Sequence, residues 1–127
     1  MPRKIMLADD DSDNRAIAAA ALTRAGFQVV QAVDGEEAVA LALRELPDLI
    51  LLDMSMPKLS GWDAVGRLRA QPALSGAAIL AYTAHAMAGD EGRALAAGCD
   101  GYIAKPCAPR ELVRLVRERL GGEGGDV

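Results

Sequence analysis

The sequence predicts an α/β fold, a doubly wound five-stranded parallel sheet with strand order 2-1-3-4-5 and five helices on its two faces. Short apolar runs alternate with longer stretches that carry helix start and stop residues. The central run DLILLD is apolar almost throughout, as expected for a strand buried on both faces. No repeat or linker interrupts the alternation, and 127 residues suffice for one domain with a hydrophobic core.

The predicted strands are the five short apolar runs. Each run is followed by polar or turn-forming residues, and each gap is long enough for a helical crossover. In chain order the runs are KIMLAD (4–9), FQVVQA (27–32), DLILLD (48–53), AAILAY (77–82) and GYIA (101–104).

The first predicted helix lies between the first two strands. Ser12 is its expected N-cap and Gly26 its expected C-cap. At helical spacing, Ile17, Ala21 and Leu22 share one face, which we expect to contact the sheet.

The second and third predicted helices have recognisable ends. Asp34, followed three residues later by Glu37, approximates a capping box, and Pro47 ends the second helix. The third helix is expected over residues 62–70, and Trp62, Met54 and Met56 are expected to pack around the loop before it.

The last two predicted helices follow the fourth and fifth strands. The fourth is expected from Met87 to Ala97, and the fifth begins near Pro109, a favoured first-turn residue. The core face of the fifth helix is predicted to carry Leu112, Val116 and Leu120. The predicted domain therefore spans residues 1–120, and the glycine-rich residues 121–127 are expected to form a flexible tail.

Composition argues against several classes of protein. The formal net charge of −4 does not favour a nucleic-acid partner, and no apolar run approaches the length of a membrane span. The start MPRK leads directly into a strand, so no signal peptide is expected. Cys99 and Cys107 form no CxxC pair and are expected to be reduced thiols, which favours a cytoplasmic location.

Chemically useful side chains follow four of the five predicted strands. In parallel sheets the carboxyl ends of the strands share one edge, where ligands bind near the point at which strand order reverses. The residues at these ends are Asp9, Asp10, Asp53, Thr83 and Lys105.

This set has the donors for a metal-assisted phosphoryl site. Three carboxylates without histidine or thiolate suit Mg²⁺ or Mn²⁺. Lys105 adds a positive charge and Thr83 a hydroxyl group, both able to hold a phosphoryl group. Asp53 is then a candidate nucleophile that forms an aspartyl phosphate.

With these residues at the strand ends, the sequence resembles the bacterial two-component response regulator receiver domain of the CheY-like superfamily, over residues 4–120. The matching motifs include DMSMPKLSG around the acceptor, YTAHAM around the switch hydroxyl, and the KP dipeptide after the fifth strand. The matching positions are Asp9, Asp10, Asp53, Thr83, Tyr102 and Lys105. Within the family, TAHAMAGDE and the short stretch after the fifth helix are most similar to single-domain regulators of the DivK type.

The resemblance implies a phosphorylation-dependent switch. A sensor histidine kinase or phosphotransfer protein would donate the phosphoryl group to Asp53, and the domain would assist its own phosphorylation and dephosphorylation without being a classical enzyme. The implied metal ligands are Asp10, Asp53 and the Ser55 carbonyl, with Asp9 acting through water. Thr83 and Tyr102 would be the switch residues, and a downstream protein would bind the face of the fourth and fifth helices.

Three positions depart from the common pattern of the family. Ser55 and His85 stand at positions whose side chains influence phosphoryl lifetime, and histidine is not the usual residue at the second of these. Asp11 is an additional acid. The expected lifetime of the phosphoryl group is therefore open.

Two alternatives remain at this stage. The chain can be a receiver fragment of a larger regulator or hybrid kinase. It can also be a Mg²⁺-dependent phosphatase with an aspartyl nucleophile, although Asp13 stands where that pattern needs Thr or Val and no insertion provides a cap. An EF-hand loop is disfavoured because Asn14 and Ala20 replace its glycine and glutamate.

Overall fold

The computed structural model describes residues 3–84 and 89–120. Within these ranges the chain forms five β-strands, each close to a predicted apolar run. They are β1 (Lys4–Ala8), β2 (Gln28–Ala32), β3 (Leu49–Leu52), β4 (Ala78–Thr83) and β5 (Gly101–Ala104).

Five α-helices alternate with the strands in the same ranges, and a short 3₁₀ turn at Pro72–Leu74 precedes β4. No helix among these residues is both long and apolar enough to cross a membrane. The helices are α1 (Ser12–Arg24), α2 (Gly35–Glu45), α3 (Gly61–Arg69), α4 (Asp90–Ala97) and α5 (Pro109–Arg119).

The strands form one parallel sheet in the order β2-β1-β3-β4-β5, which confirms the predicted topology. Ala8 of β1 is in register with Ala32 of β2 and with Leu52 of β3. The chain reverses its direction of travel across the sheet between β1 and β3. This switch point is where α/β sheets place their ligands.

Both faces of the sheet are covered by helices. Ile50 and Leu52 of β3 point into the core beneath α2 and α3, and Leu49 and Leu51 point into the core beneath α1 and α5. All four side chains are fully buried. Because alternate residues of a strand face opposite sides, an unbroken apolar run is what a sheet covered on both faces requires.

The packing of α1 differs from the prediction in two respects. Asp11, not Ser12, is the N-cap, because its carboxylate accepts hydrogen bonds from the amides of Asp13 and Asn14 at 3.0 and 3.1 Å. Ile17 is 57% exposed, so its assignment to the core face was wrong. The buried positions are Ala18, Ala19 and Leu22.

The error on α1 has a physical cause. The segment is a run of alanines, whose apolar side chains lie on every face, so periodicity does not single out one face. Contacts of Leu22 with the sheet decide the rotation of the helix. At the other end, the C-cap is Ala25, one residue before the predicted Gly26, which follows it with φ 104°.

The other helices begin and end close to their predicted positions. Asp34 caps α2 through the Glu37 amide at 2.8 Å, and α2 ends at Glu45, before Pro47. α3 begins one residue earlier than predicted, with Ser60 as its N-cap. The predicted start of α4 at Met87 lies outside the described residues, as does the tail over 121–127.

One arginine ties the end of α3 to the loops that precede β4 and β5. The Arg69 guanidinium donates hydrogen bonds to the carbonyl oxygens of Gly98 and Ala77 at 2.7 and 2.9 Å, and it pairs with Asp100 at 2.5 Å. Asp100 also accepts from the Ile79 amide at 2.8 Å. These bonds fix the amino-terminal end of β4, opposite the edge that carries the candidate site.

Candidate functional site

The sheet brings Asp9 and Asp53 together. Asp9 follows β1 and Asp53 follows β3, and these strands are neighbours. The Asp53 amide donates to the Ala8 carbonyl at 3.0 Å, and the Asp9 amide donates to the Ala32 carbonyl at 3.1 Å. Backbone pairing therefore continues one residue past each strand and fixes both carboxylates at the switch point.

Asp9, Asp10 and Asp53 form a cluster of three acids. One carboxylate oxygen from each lies within 4.8 Å of the others. Asp9 is fully buried, Asp53 is 6% exposed and Asp10 is open to solvent. Oxygen ligands at this spacing, open on one side, fit a hard divalent cation such as Mg²⁺ that keeps part of its water shell.

Lys105 is the cation that meets this cluster. Its ammonium group lies 2.6 Å from an Asp9 oxygen and 3.5 Å from an Asp53 oxygen, and its side chain is only 7% exposed. Burial lowers the pKa of Lys105, but the hydrogen bond to Asp9 and the charge of Asp53 outweigh it and leave the pKa above its ordinary value. The Lys105–Pro106 peptide bond is cis.

The environment of Asp53 combines opposing effects. Burial raises the pKa of this carboxyl group, and the negative charges of Asp9 and Asp10 act in the same direction. The Ser55 amide, which donates to Asp53 at 3.0 Å, and the Lys105 ammonium lower it. The net shift is upward, because a buried carboxylate beside two further acids is costly to ionise.

The loop after Asp53 folds tightly back on itself. The Gly61 amide donates to the Met54 carbonyl at 3.2 Å, and a side chain at Gly61 would come within 2.6 Å of the Asp53 carbonyl oxygen. Only glycine fits at this contact. Met54 and Met56 are buried beneath the loop, which confirms their predicted packing role.

Thr83 and Tyr102 lie on the neighbouring strands. Thr83 ends β4 and is 3% exposed, and its carbonyl accepts a hydrogen bond from the Lys105 amide at 2.9 Å. The Tyr102 hydroxyl oxygen is buried and has no hydrogen-bond partner among residues 3–84 and 89–120. Burial, together with the charges of Asp90 and Glu91, raises its pKa. The Tyr102 ring packs against the buried cluster that also contains Ala94 of α4.

One of the residues predicted to influence phosphoryl lifetime lies outside the described residues, and the other does not. His85 and its neighbours up to residue 88 lie outside the described residues, as does most of the loop between Thr83 and Gly89. Ser55 is placed, and its side chain is exposed beside the acid cluster.

Sequence reasoning did not identify two further residues that contact the site. The Arg15 guanidinium donates to the Asp9 carbonyl at 2.8 Å and to the Gln31 side chain at 3.2 Å. The Tyr82 ring lies under the Lys105 ammonium, 4.8 Å from its centre. Arg15 lies one helical turn after the acid run, and this spacing could have predicted its contact with the site. Nothing in the local sequence marks Tyr82.

Comparison with known families decides the identity of this arrangement. The sequence model of the response regulator receiver domain matches residues 5–117. The chain belongs to the response regulator receiver domain family. Receiver domains are the phosphoryl-accepting signalling switches of two-component systems, and they interact with histidine kinases and downstream targets.

Individual relatives agree with this assignment. The polar-differentiation response regulator DivK of Brucella anthropi is 32% identical over 121 residues, covering 95% of this chain and 98% of that protein. The chemotaxis protein CheY4 of Vibrio cholerae is 29% identical, with a TM-score of 0.88 over 93% of this receiver domain and 98% of that chain.

A third relative bears on the metal. The receiver domain of a sensor histidine kinase from Pseudomonas aeruginosa is 36% identical, with a TM-score of 0.87 over 95% of this chain and 99% of that one. Its structure contains a magnesium ion coordinated in the active-site cleft. The present receiver domain has its acidic cluster of Asp9, Asp10 and Asp53 at the carboxyl edge of the same fold.

Proposed function

We propose that Asp53 is the phosphoacceptor of this receiver domain. The observation that carries the proposal is the position of its carboxylate, which lies at the carboxyl end of β3 beside Asp9 and Asp10 and 3.5 Å from the Lys105 ammonium. A carboxylate there can attack a phosphoryl group while positive charge neutralises the non-bridging oxygens.

The transfer step follows from this arrangement. A carboxylate oxygen of Asp53 forms a bond to phosphorus, and the phosphorus–nitrogen bond of a phosphohistidine on the donor protein breaks. The bonding electron pair goes to the imidazole nitrogen. Lys105 stabilises the phosphoryl oxygens, and in this way the domain assists its own phosphorylation.

Asp9, Asp10, Asp53 and the Ser55 carbonyl are the residues that would hold Mg²⁺ (or Mn²⁺), with Asp9 acting through water. When bound, the metal ion supplies positive charge that screens the acids from an incoming phosphoryl dianion. Asp9 is already neutralised by Lys105 at 2.6 Å, which leaves the exposed Asp10 and the mouth of the cluster for the cation.

Thr83 and Tyr102 are the proposed switch residues. The Thr83 hydroxyl group would donate a hydrogen bond to a phosphoryl oxygen on Asp53, a contact that exists only after phosphorylation. The Tyr102 hydroxyl group is already buried in the present state, so the ring responds by exchanging its contacts with α4 rather than by first leaving solvent. The readout surface is the face formed by α4 and α5, where a downstream protein would bind.

Acid-stable, base-labile labelling tests the acceptor. In the presence of Mg²⁺, acetyl phosphate should add one phosphoryl group to the parent protein, detected by mass spectrometry, and peptide mapping should locate it at Asp53. Asp53→Asn should abolish the labelling, because an amide is a poor nucleophile.

Asp11→Asn is the matched control. It removes one negative charge at the same edge of the sheet, and asparagine still caps α1. Labelling should remain near the parent level in this variant. Labelling that persists in Asp53→Asn would move the acceptor to another residue.

A further inference from the structure

A groove runs along the surface between α1 and α5, on the side of the sheet opposite α2 and α3. The groove is open to solvent and has a volume of about 750 Å³. We call it the α1/α5 groove. Its lining includes Ala21, Arg24, Ala25, Arg110, Val113 and Arg117, and also Arg114 and the acidic Glu118.

The floor of the groove is apolar, and the groove is shallow. Ala21, Ala25 and Val113 are half-buried, so each still presents apolar surface to the outside. The two alanines have the shortest apolar side chains and allow another backbone to approach α1 closely. A groove between two adjacent helices of this kind is the shape that receives the side-chain ridge of a third helix.

The rim of the groove is basic, although the protein carries a net charge of −4. Arg24 and Arg110 are exposed, and neither makes an ion pair within residues 3–84 and 89–120. Arg114 also lies here, but Glu111 and Glu118 already share its guanidinium. The free positive charge of the groove therefore belongs to Arg24 and Arg110.

The groove is held in shape by hydrogen bonds within the protein. Arg117 donates to the Ala25 carbonyl at 3.1 Å, which ties α5 to the end of α1. Arg114 is held along α5 by Glu111, at 2.9 Å, and by Glu118. A preformed surface loses little conformational entropy on binding.

We propose that the α1/α5 groove is a docking surface for an acidic, amphipathic helix of a partner protein. The apolar ridge of that helix would lie on the two alanines and Val113, and its flanking carboxylates would meet Arg24 and Arg110. The apolar floor favours a helix over a small anion, which would leave that floor exposed. The surface shares no residue with the acid cluster or with Thr83 and Tyr102, so it is separate from the acceptor and from its switch.

A designed probe tests the proposal. The probe is a synthetic amphipathic helical peptide. Its leucines and alanines are spaced alternately three and four residues apart, so that they share one face of the helix, and its other residues are glutamates. Its control is a peptide of the same composition without the helical periodicity. Amide chemical shifts of the labelled full chain should move along α1 and α5 with the helical peptide and not with the scrambled one.

Paired charge reversals provide the matched variants. Arg24→Glu with Arg110→Glu should weaken binding at least about tenfold, because repulsion replaces attraction at both rims. The control is Arg44→Glu with Arg67→Glu, which changes the net charge by the same amount at exposed arginines outside the groove. This pair should weaken binding of the helical peptide less than about threefold. The variant with Arg24→Glu and Arg110→Glu should accept a phosphoryl group to the same level as the parent protein. That result would show that the variant is folded.

Four results would overturn the proposal. Equal weakening by both pairs would mean general charge attraction, and equal binding of the scrambled peptide would exclude a helix. The same shifts with inorganic tripolyphosphate would assign the groove to a small anion. Shifts along the groove that grow with protein concentration alone would assign it to a second copy of the chain.

Discussion

At the scale of single residues, the Lys105 ammonium balances the charge of the acid cluster. It lies 2.6 Å from Asp9, which is fully buried, and its own side chain is almost as deeply enclosed. The Asp9 carboxylate receives one further hydrogen bond, from the Asp11 amide at 2.9 Å. A buried carboxylate that lost its cation would keep only this neutral donor, which does not offset the cost of burying the charge.

Lys105→Met should therefore lower the free energy of unfolding by roughly 3 kcal/mol. The matched variant is Lys58→Met, since Lys58 pairs with Asp34 at 3.6 Å but is 65% exposed. We expect this control to change the free energy by less than about 1 kcal/mol. Urea unfolding of both variants, without divalent cations, is the measurement. Similar small losses in the two variants would show that Asp9 does not depend on Lys105.

At the scale of elements, the N-cap of α4 differs from those of α1, α2 and α3. Those three helices have side-chain caps from Asp11, Asp34 and Ser60, whereas the N-cap of α4 is Gly89, which has no side chain to accept a hydrogen bond. One contact of α4 with α3 is the Arg93 guanidinium, which stacks on the Trp62 ring at 3.9 Å from the ring centre. Such an exposed cation–π contact contributes about 0.5–1 kcal/mol and can be exchanged easily.

Trp62 is the one tryptophan of the sequence, so its fluorescence reports on this contact. Beryllofluoride, a phosphoryl mimic, should change the emission of the parent protein because movement of α4 separates Arg93 from the ring. Arg93→Gln should shift the emission before the mimic is added and should then respond little.

Substitution of the switch threonine completes this experiment. Thr83→Ala should reduce the response to beryllofluoride severalfold, since it removes the hydroxyl group that we propose couples Asp53 to α4. Thr23→Ala, at an exposed threonine of α1, should respond like the parent. A full response in Thr83→Ala would remove Thr83 from the switch.

At the scale of the whole molecule, negative charge is concentrated at the carboxyl edge of the sheet. Asp9, Asp10 and Asp53 crowd at the carboxyl edge, and the Lys105 ammonium pairs with Asp9 and Asp53. Self-repulsion in this cluster weakens the folded state, and a cation that binds the native chain alone shifts the folding equilibrium by mass action.

Mg²⁺ should raise the melting temperature of the parent protein. At ten times the Kd the gain is about 1.4 kcal/mol, which corresponds to several degrees for a domain of this size. Asp10→Ala should lose most of this dependence, whereas Asp13→Ala, an equally exposed acid in the first turn of α1, should keep it. A parent protein whose melting temperature ignores Mg²⁺ would contradict the metal site.

The sequence by itself determined the alternation of strands and helices, the strand order and the residues at the strand ends. These features are local or follow from topology, because a side chain directly after a parallel strand must lie at the carboxyl edge. The cap of α2 at Asp34 was predictable for the same reason, since capping depends on residues three apart.

The tertiary structure decided which face of α1 is buried and which carboxylate Lys105 contacts most closely. It also decided how Arg69 ties α3 to the loops that precede β4 and β5, and it created the groove between α1 and α5. Each of these contacts joins residues far apart in the chain, and their geometry depends on helix rotation and packing depth. The sequence of an alanine-rich helix such as α1 does not determine the rotation of the helix about its axis. The packing of Leu22 on the sheet fixes that rotation, and Ile17 is exposed as a result.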